Sequence, residues 1–251
     1  MSIYVIADLH LSFSVDKPMD IFGNNWENHV EKIRSNWIEK VKPEDTVVLP
    51  GDFSWATYLE ESKADFKFLN SLPGKKILLK GNHDYWWTTV SKMKNFLKDN
   101  NFENIDFLYN NSFLIEDKII VGTKGWVTNF KAKENAKILK RENIRLNLSI
   151  MDGIKRFGTD KEIIAFIHYP PFYKENVLEE FDFISTLHKY SIKRCYYGHL
   201  HGESYKEALE GEIDGIEYKL ISSDFLKFNL LKISSLGTLS KNNKFGDTFK
   251  K

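Results

Sequence analysis

The sequence contains a single cysteine, Cys195, in 251 residues. A lone cysteine cannot form a disulfide within the chain, so the small secreted domains that depend on disulfides are excluded. Long hydrophobic runs are also missing. The apolar run near the N-terminus ends at Ala7, which is too short for a signal peptide or a membrane-spanning helix. These absences predict a cytoplasmic protein with no membrane partner.

An excess of charge of one sign is absent as well. Lys and Arg together number 36, Asp and Glu together number 35, and the formal net charge is +1. A chain with this balance has no overall attraction to a polyanion. We therefore do not expect nucleic acid as its partner.

The chain also lacks a linker, because no stretch rich in Pro, Ser or Gly divides it. Its length and its hydrophobic content of 42% suffice for a substantial core. We predict one domain over residues 1–240. The polar end of the chain, residues 241–251, is expected to be a frayed tail.

Short apolar runs alternate with helical patterns along the chain, which is typical of an α/β fold. The predicted helices lie near residues 26–41, 58–72, 90–97, 132–154 and 177–190, and Gly153 weakens the last turn of the fourth. The predicted strands lie near residues 3–7, 46–49, 77–79, 112–115, 118–121, 163–167, 194–197, 216–221 and 228–233, with the last two in a second sheet. Residues 11–25 show no periodicity, so we expect a long loop that could wall a pocket.

Side chains that can bind metal ions follow five of the predicted strands. Functional groups gather beyond the carboxyl ends of the strands in open α/β sheets, so these five stretches can converge on one crevice. They are Asp8-Leu9-His10, Gly51-Asp52, Gly81-Asn82-His83-Asp84, His168-Tyr169-Pro170 and Gly198-His199-Leu200-His201.

The five stretches contain three aspartates, one asparagine and five of the seven histidines, with no thiolate. Such a mixed oxygen and nitrogen set suits Mn, Fe, Zn or Co better than Ca. The set is also too large for one ion. Two metal ions bridged by a carboxylate and a hydroxide form a known arrangement for in-line attack at phosphorus, and we expect that arrangement here.

Taken in order, the five stretches resemble the motifs of the calcineurin-like metallophosphoesterase superfamily, over residues 1 to about 201. The resemblance implies a four-layer α/β/β/α sandwich of two mixed sheets flanked by helices, and two divalent or trivalent metal ions. By the same resemblance, one ion is held by Asp8, His10 and His201. The other is held by Asn82, His168 and His199, and Asp52 bridges the two.

The resemblance gives His83 a different role from that of its neighbours. It implies that His83 is not a ligand and lies beside the phosphoryl group, as a general acid or as an electrostatic stabiliser. Asp84 is then expected to fix the tautomer of the His83 ring. His83 and Asp84 are therefore the predicted catalytic pair.

Two positions depart from better-known branches of the superfamily. Purple acid phosphatases have a metal-binding Tyr where this chain has Trp55, which disfavours a purple ferric centre. Phosphoprotein phosphatases have an Arg where this chain has Lys80, and a Lys lacks the bidentate fork of an Arg. A protein-phosphatase substrate is disfavoured for that reason.

Aromatic residues near the motifs have two readings. They could rim the pocket and stack against a nucleobase or another planar group, or they could serve only in core and loop packing. Core and loop packing is the interpretation that we favour for most of them. The residues in question are Trp55, Tyr85, Trp86, Trp87, Trp126, Phe172 and Tyr173.

The sequence thus predicts a metal-dependent phosphohydrolase. We expect it to hydrolyse a phosphodiester or phosphomonoester of a small molecule or nucleotide, by in-line attack of a metal-bridging hydroxide. A nuclease on the same fold is an alternative, and it would need a basic groove. A non-catalytic scaffold on the same fold is a second alternative. The retention of every ligand position weighs against it.

Overall fold

The computed structural model of the protein describes residues 1–126, 133–172 and 182–234. None of the helices in these ranges combines the length and the apolarity needed to span a membrane. The helices are α1 (His29–Lys40), α2 (Lys63–Ser71), α3 (Val90–Asp99), α4 (Lys133–Phe157) and α5 (Asp182–Lys189). The strands are β1 (Ile3–Val5), β2 (Thr46–Pro50), β3 (Lys75–Leu79), β4 (Ile105–Phe107), β5 (Phe113–Ile115), β6 (Lys118–Thr123), β7 (Glu162–Ile167), β8 (Arg194–Tyr197), β9 (Gly211–Ile213), β10 (Ile216–Leu220) and β11 (Leu231–Ile233).

The strands form two mixed sheets. The first has five strands in the order β11-β1-β2-β3-β4, and only β11 runs antiparallel to its neighbour. The second has six strands in the order β5-β6-β7-β8-β10-β9, with β6, β7, β8 and β10 parallel. Its two edge strands are antiparallel, and β5 with β6 forms the hairpin that the sequence predicts at residues 116–117.

Alternating side chains along the central strands separate three hydrophobic layers. In β2, Val47 and Leu49 pack with α1 to α3 on the outer face of the first sheet, whereas Val48 faces the second sheet. In β7, Ala165 packs with α4 and α5, whereas Phe166 lies between the sheets. Because both faces are covered, these strands are apolar without interruption. The result is the predicted four-layer α/β/β/α sandwich, and that expectation is confirmed.

Two fold predictions need correction. The run predicted at residues 228–233 forms a strand only over Leu231–Ile233, and it joins the first sheet, where it pairs with β1. A hydrophobic pattern predicts a strand but not its pairing partner. Without β11, the main-chain groups along one side of β1 would be unpaired. The helical stripe of α4 is buried at Leu139, Leu146 and Ile150, but Ala136 is exposed.

Other predictions fall partly outside the described residues. The start of the helix predicted at residues 177–190 and the tail at residues 241–251 lie there. The single domain over residues 1–240 stays a prediction. The long loop at residues 11–25 contains two short 3-10 helices, Met19–Phe22 and Asn24–Trp26.

Gly153 does not end α4, which continues to Phe157. A Cβ atom on Gly153 would lie 2.6 Å from Cγ2 of Ile119 in β6. The glycine therefore allows the helix to approach the second sheet closely.

We predict that Gly153→Ala destabilises the protein, although the same change in a free helix stabilises it by about 1 kcal/mol. Overpacking against Ile119 should lower the free energy of unfolding by about 1 to 3 kcal/mol, measured by urea denaturation. Met151→Ala is the matched control, because Met151 lies in the same helix and is 58% exposed. A gain in stability for Gly153→Ala would contradict the prediction.

Candidate metal centre

Every predicted site residue follows the carboxyl end of a strand. Asp8, Asp52 and the turn at residues 81–84 come after β1, β2 and β3 of the first sheet. His168 comes directly after β7 of the second sheet, and residues 198–201 follow β8. Since β1 to β3 are parallel to one another, as are β7 and β8, these ends meet at one edge of the sandwich.

The first group of potential ligands is Asp8, His10 and His201, whose ligand atoms all lie within 4.8 Å of one another. Nε2 of His10 is 3.4 Å from Nε2 of His201, and Nε2 of His201 is 4.0 Å from Oδ1 of Asp8. Asp8 and His10 are buried, and His201 is partly exposed. One carboxylate and two imidazoles thus surround a single small space.

The second group is Asp52, His168 and His199, whose ligand atoms also lie within 4.8 Å of one another. Oδ1 of Asn82 joins it, 2.7 Å from Nε2 of His168 and 2.8 Å from Nδ1 of His199. Oδ2 of Asp52 is 3.4 Å from Nε2 of His168 and 3.8 Å from Nε2 of His10. The Asp52 carboxylate therefore lies between the two groups.

Hydrogen bonds from outside the centre orient two of the histidines. Nδ1 of His168 is 3.0 Å from the carbonyl oxygen of Pro50, and Nδ1 of His201 is 2.8 Å from Oδ1 of Asp224. Because a carbonyl only accepts, Nδ1 of His168 donates in this bond, and Nε2 is the nitrogen that faces the other donors of the second group. The contact with Asp224 favours the same tautomer for His201.

Asp224 is a residue that the sequence analysis missed. It comes shortly after β10, behind Ser222 and Ser223, and all three side chains are buried. Polar residues follow a strand here too, but β10 alternates apolar and charged residues and is not a continuous apolar run. The resemblance to the superfamily motifs ends near His201 and does not reach it.

Two observations show that the centre suits cations. Oδ1 of Asp8 is buried and accepts no hydrogen bond from the described residues. Burial disfavours a charged His168, yet Asp52 and Asp8 raise the pKa of that imidazole to about 9. The carboxylates therefore attract positive charge, and the oxygen and nitrogen donors are those that borderline divalent ions bind.

The backbone is strained where it presents the ligands. Asp8, His10, Asp52 and His199 have φ angles of 60°, 48°, 51° and 74°, in the left-handed region that non-glycine residues rarely occupy. Such conformations cost about 1 to 3 kcal/mol each and persist only where surrounding contacts impose them. Backbone bonds between the loops, from Asp8 to Gly51 and from His10 to Asp52, each 3.0 Å long, are among those contacts.

Asp84 has a different role from the one predicted. Its buried carboxylate accepts five hydrogen bonds, from the backbone N–H groups of Asp52, Phe53, Ser54 and Gly81 and from Nε1 of Trp86. Nδ1 of His83 has no hydrogen-bond partner among the described residues. The expectation that Asp84 fixes the tautomer of His83 is therefore wrong, because backbone donors occupy both of its oxygens.

His83 is held at the centre by its backbone and by an aromatic contact. Its N–H donates to Oδ1 of Asp52 over 2.8 Å, and its ring lies 4.4 Å from that of Trp55. The ring of His10 stacks on Trp55 at 4.9 Å. Burial lowers the pKa of His83. The His83 ring therefore faces the same space as the first ligand group.

The predicted aromatic residues separate into two sets. Trp86, Trp87 and Phe172 are buried in hydrophobic clusters, as the packing interpretation expects. Trp55 contacts two histidines of the site, and Tyr85 is 63% exposed. Tyr173 lies outside the described residues.

Three glycines allow loops to touch at the centre. A Cβ atom on Gly51 would lie 2.5 Å from Nδ1 of His168, and one on Gly198 would lie 2.5 Å from Oδ2 of Asp8. A Cβ atom on Gly81 would overlap the Asp52 carboxylate. Gly81 has no left-handed φ, so the close approach of Asp52 explains this glycine.

Comparisons with known proteins agree with this geometry. The family model described as calcineurin-like phosphoesterase matches residues 1–203. A comparison with curated proteins found no match.

Three solved structures are similar to this chain at low identity. A phosphopantetheinyl hydrolase from Mycobacterium tuberculosis has 13% identity and a TM-score of 0.55, covering 95% of this chain and 98% of that one. A protein from Thermus thermophilus has 12% identity and a TM-score of 0.51, covering 92% and 98%. A protein of unknown function from Aquifex aeolicus has 18% identity and a TM-score of 0.48, covering 92% and 95%. At such identities the first two show a common fold.

We predict that metal ions stabilise the folded chain, because their candidate ligands come from both sheets. Mn²⁺ at 100 times its dissociation constant should raise the free energy of unfolding by about 2.7 kcal/mol, seen as a higher melting temperature that a chelator reverses. His199→Ala should lose most of this shift. His188→Ala should keep it, because His188 is an exposed histidine bonded to Asp214. The absence of a shift in the wild type would contradict the prediction.

We also predict that Asp224→Ala weakens metal binding, because it removes the acceptor that orients His201. The loss of affinity should be roughly 10- to 100-fold, measured by competition with a chelator. Asp214→Ala is the matched control, since Asp214 lies 2.8 Å from His188 as Asp224 does from His201. Equal effects of the two changes would show that Asp224 does not act through His201.

Proposed function

The chain belongs to the calcineurin-like phosphoesterase family, and from that premise we propose that it hydrolyses a phosphomonoester or phosphodiester of a small molecule, nucleotides included. The family and the two ligand groups support a metal-dependent phosphoesterase in general. The ester class, the ligand assignments and the mechanism are our proposal.

The position of Asp52 between the two ligand groups is the observation that supports the proposal most directly. We assign Asp8, His10 and His201 to one ion, and Asn82, His168 and His199 to the other. Oδ2 of Asp52 lies within 4 Å of a histidine from each set, so we assign it to both ions. The donors suit Mn, Fe, Zn or Co.

Bound ions would acidify a water molecule and neutralise charge on the phosphoryl oxygens. The chain's own contribution at the reacting atoms is His83. Its backbone N–H donates a hydrogen bond to Oδ1 of Asp52, and its ring centroid lies 5.7 Å from that of His10. We assign to the His83 ring a hydrogen bond to the oxygen that leaves phosphorus, as a proton donor or as a stabiliser of its charge.

Asp84 has a positioning role in this proposal. By holding the N–H groups of residues 52–54 and of Gly81, it sets the distance between the turn that carries Asp52 and the turn that carries His83. Both residues depend on this arrangement, although Asp84 acts on them through the backbone and not through their side chains.

Substitution of Asn82 and His83 tests the proposal. Asn82→Ala should abolish hydrolysis of nitrophenyl phosphate mono- and diesters by Mn²⁺-loaded protein and should reduce bound metal. His83→Ala should lower kcat by roughly 100-fold or more, the contribution of a positioned proton donor, while bound metal stays at the wild-type level. Activity and metal content are measured on the same samples.

His199→Ala is the control for loss of a metal ligand. His188→Ala is the control for loss of an exposed histidine. If Asn82→Ala turned over both ester types at the wild-type rate, the chain would not be a hydrolase of the proposed kind. If His83→Ala lost as much metal as His199→Ala, His83 would be a ligand and not a donor to the leaving oxygen.

A further inference from the structure

A cavity of about 330 Å³ opens directly onto the candidate centre. His10, His83 and His201 form its inner end. This volume is within the range of pockets that bind small organic molecules. The cavity therefore lies where the part of a substrate beyond its phosphoryl group would extend.

The walls of this cavity are apolar. Met19, Phe22, Trp26 and Trp55 line it, and no lysine or arginine is among the described residues that do so. Asn25 and Asp224 are its polar side chains outside the centre, and Oδ1 of Asp224 is held by His201. A second phosphate would meet the Asp224 carboxylate, and the hydroxyl groups of a sugar would find few partners.

The loop at residues 11–25 builds the outer wall. Met19 is 5% exposed, and its sulfur accepts a hydrogen bond of 3.1 Å from Nε1 of Trp55. Two other residues of the same 3-10 helix are largely exposed to solvent. Ile21 is 70% exposed, and Phe22 is 61% exposed. Of these two, Phe22 lines the cavity, so an exposed apolar side chain lies at its mouth, where it is available to contact a ligand.

Trp55 connects this wall to the site. Its ring lies against both His10 and His83, and the same ring lines the cavity. A group bound in the cavity would therefore be attached to phosphorus on the side that His83 faces. This is the side of the leaving oxygen in the proposed function.

From this geometry we propose that the cavity binds an uncharged, apolar leaving group, so that the substrate is a phosphoester of a hydrocarbon chain or unsubstituted ring. The proposal rests on the proposed function. In the reaction, water supplies an oxygen to phosphorus, the ester P–O bond breaks, and its electron pair stays on the leaving oxygen. That oxygen takes up a proton, so the products are the alcohol and the phosphate.

Binding of alkylphosphonates tests the proposal without requiring turnover. The Mn²⁺-loaded protein is titrated with methyl-, butyl- and hexylphosphonate by calorimetry. The dissociation constant should fall roughly fourfold for each methylene that enters the cavity. Phe22→Ser should reduce this gain per methylene, and the exposure of Phe22 makes a loss of folding unexpected, which circular dichroism checks.

Ile21→Ser is the matched control, because Ile21 is similarly exposed and is not part of the cavity wall. It should leave the dependence on chain length unchanged. Equal affinities for the three phosphonates, no binding of any of them, or equal effects of the two substitutions would overturn the proposal. Tighter binding of adenosine monophosphate than of hexylphosphonate would also overturn it.

Failure of the proposed function would be seen separately. The same samples are assayed for release of the alcohol from methyl, butyl and hexyl phosphate and from the corresponding dialkyl phosphates. Binding that improves with chain length in the absence of any hydrolysis would support the cavity and reject the enzyme. Hydrolysis with no dependence on chain length in either assay would reject the cavity and support the enzyme.

Discussion

The buried carboxylate of Asp84 is the interaction on which the candidate centre depends. Its two oxygens accept hydrogen bonds from four backbone N–H groups and one indole, and these donors belong to the turns that follow β2 and β3. Hydrogen bonds to a charged acceptor are stronger than those between neutral groups. One side chain thereby fixes two loops that contribute Asp52 and Asn82 to the second ligand group. The close approach of these loops is possible because residues 51 and 81 are glycines.

Other contacts between the loops hold Asp8, His10, Asp52 and His199 in the left-handed region of the backbone. Left alone, each of these residues would relax to a commoner conformation. The loops are instead tied to one another by main-chain bonds, and the N–H of His199 donates to Oδ2 of Asp8. The folded sandwich therefore supplies the free energy that holds the ligands in place.

Local patterns in the sequence were sufficient for much of this description. Continuous apolar runs ending in Asp8, Asp52, Asn82, His168 and His199 predicted both the strands and the edge at which they meet. They could not predict the function of Asp84, because its partners at residues 52–54 are distant in sequence. The role of Asp224 and the sheet that accepts β11 were missed for a similar reason. Asp224 contacts His201, 23 residues away, and β11 pairs with β1, which lies near the other end of the sequence.

The pairing of β11 with β1 has a consequence for the order in which the chain becomes structured. During synthesis Ile3 to Val5 leave the ribosome well before their antiparallel neighbour at residues 231–233. Until then one side of β1 has unsatisfied main-chain groups that could pair with another nascent polypeptide. The first sheet can be completed only after residues 231–233 have been synthesised. A chaperone that shields residues 3–5 until then would therefore favour the folded product over aggregates.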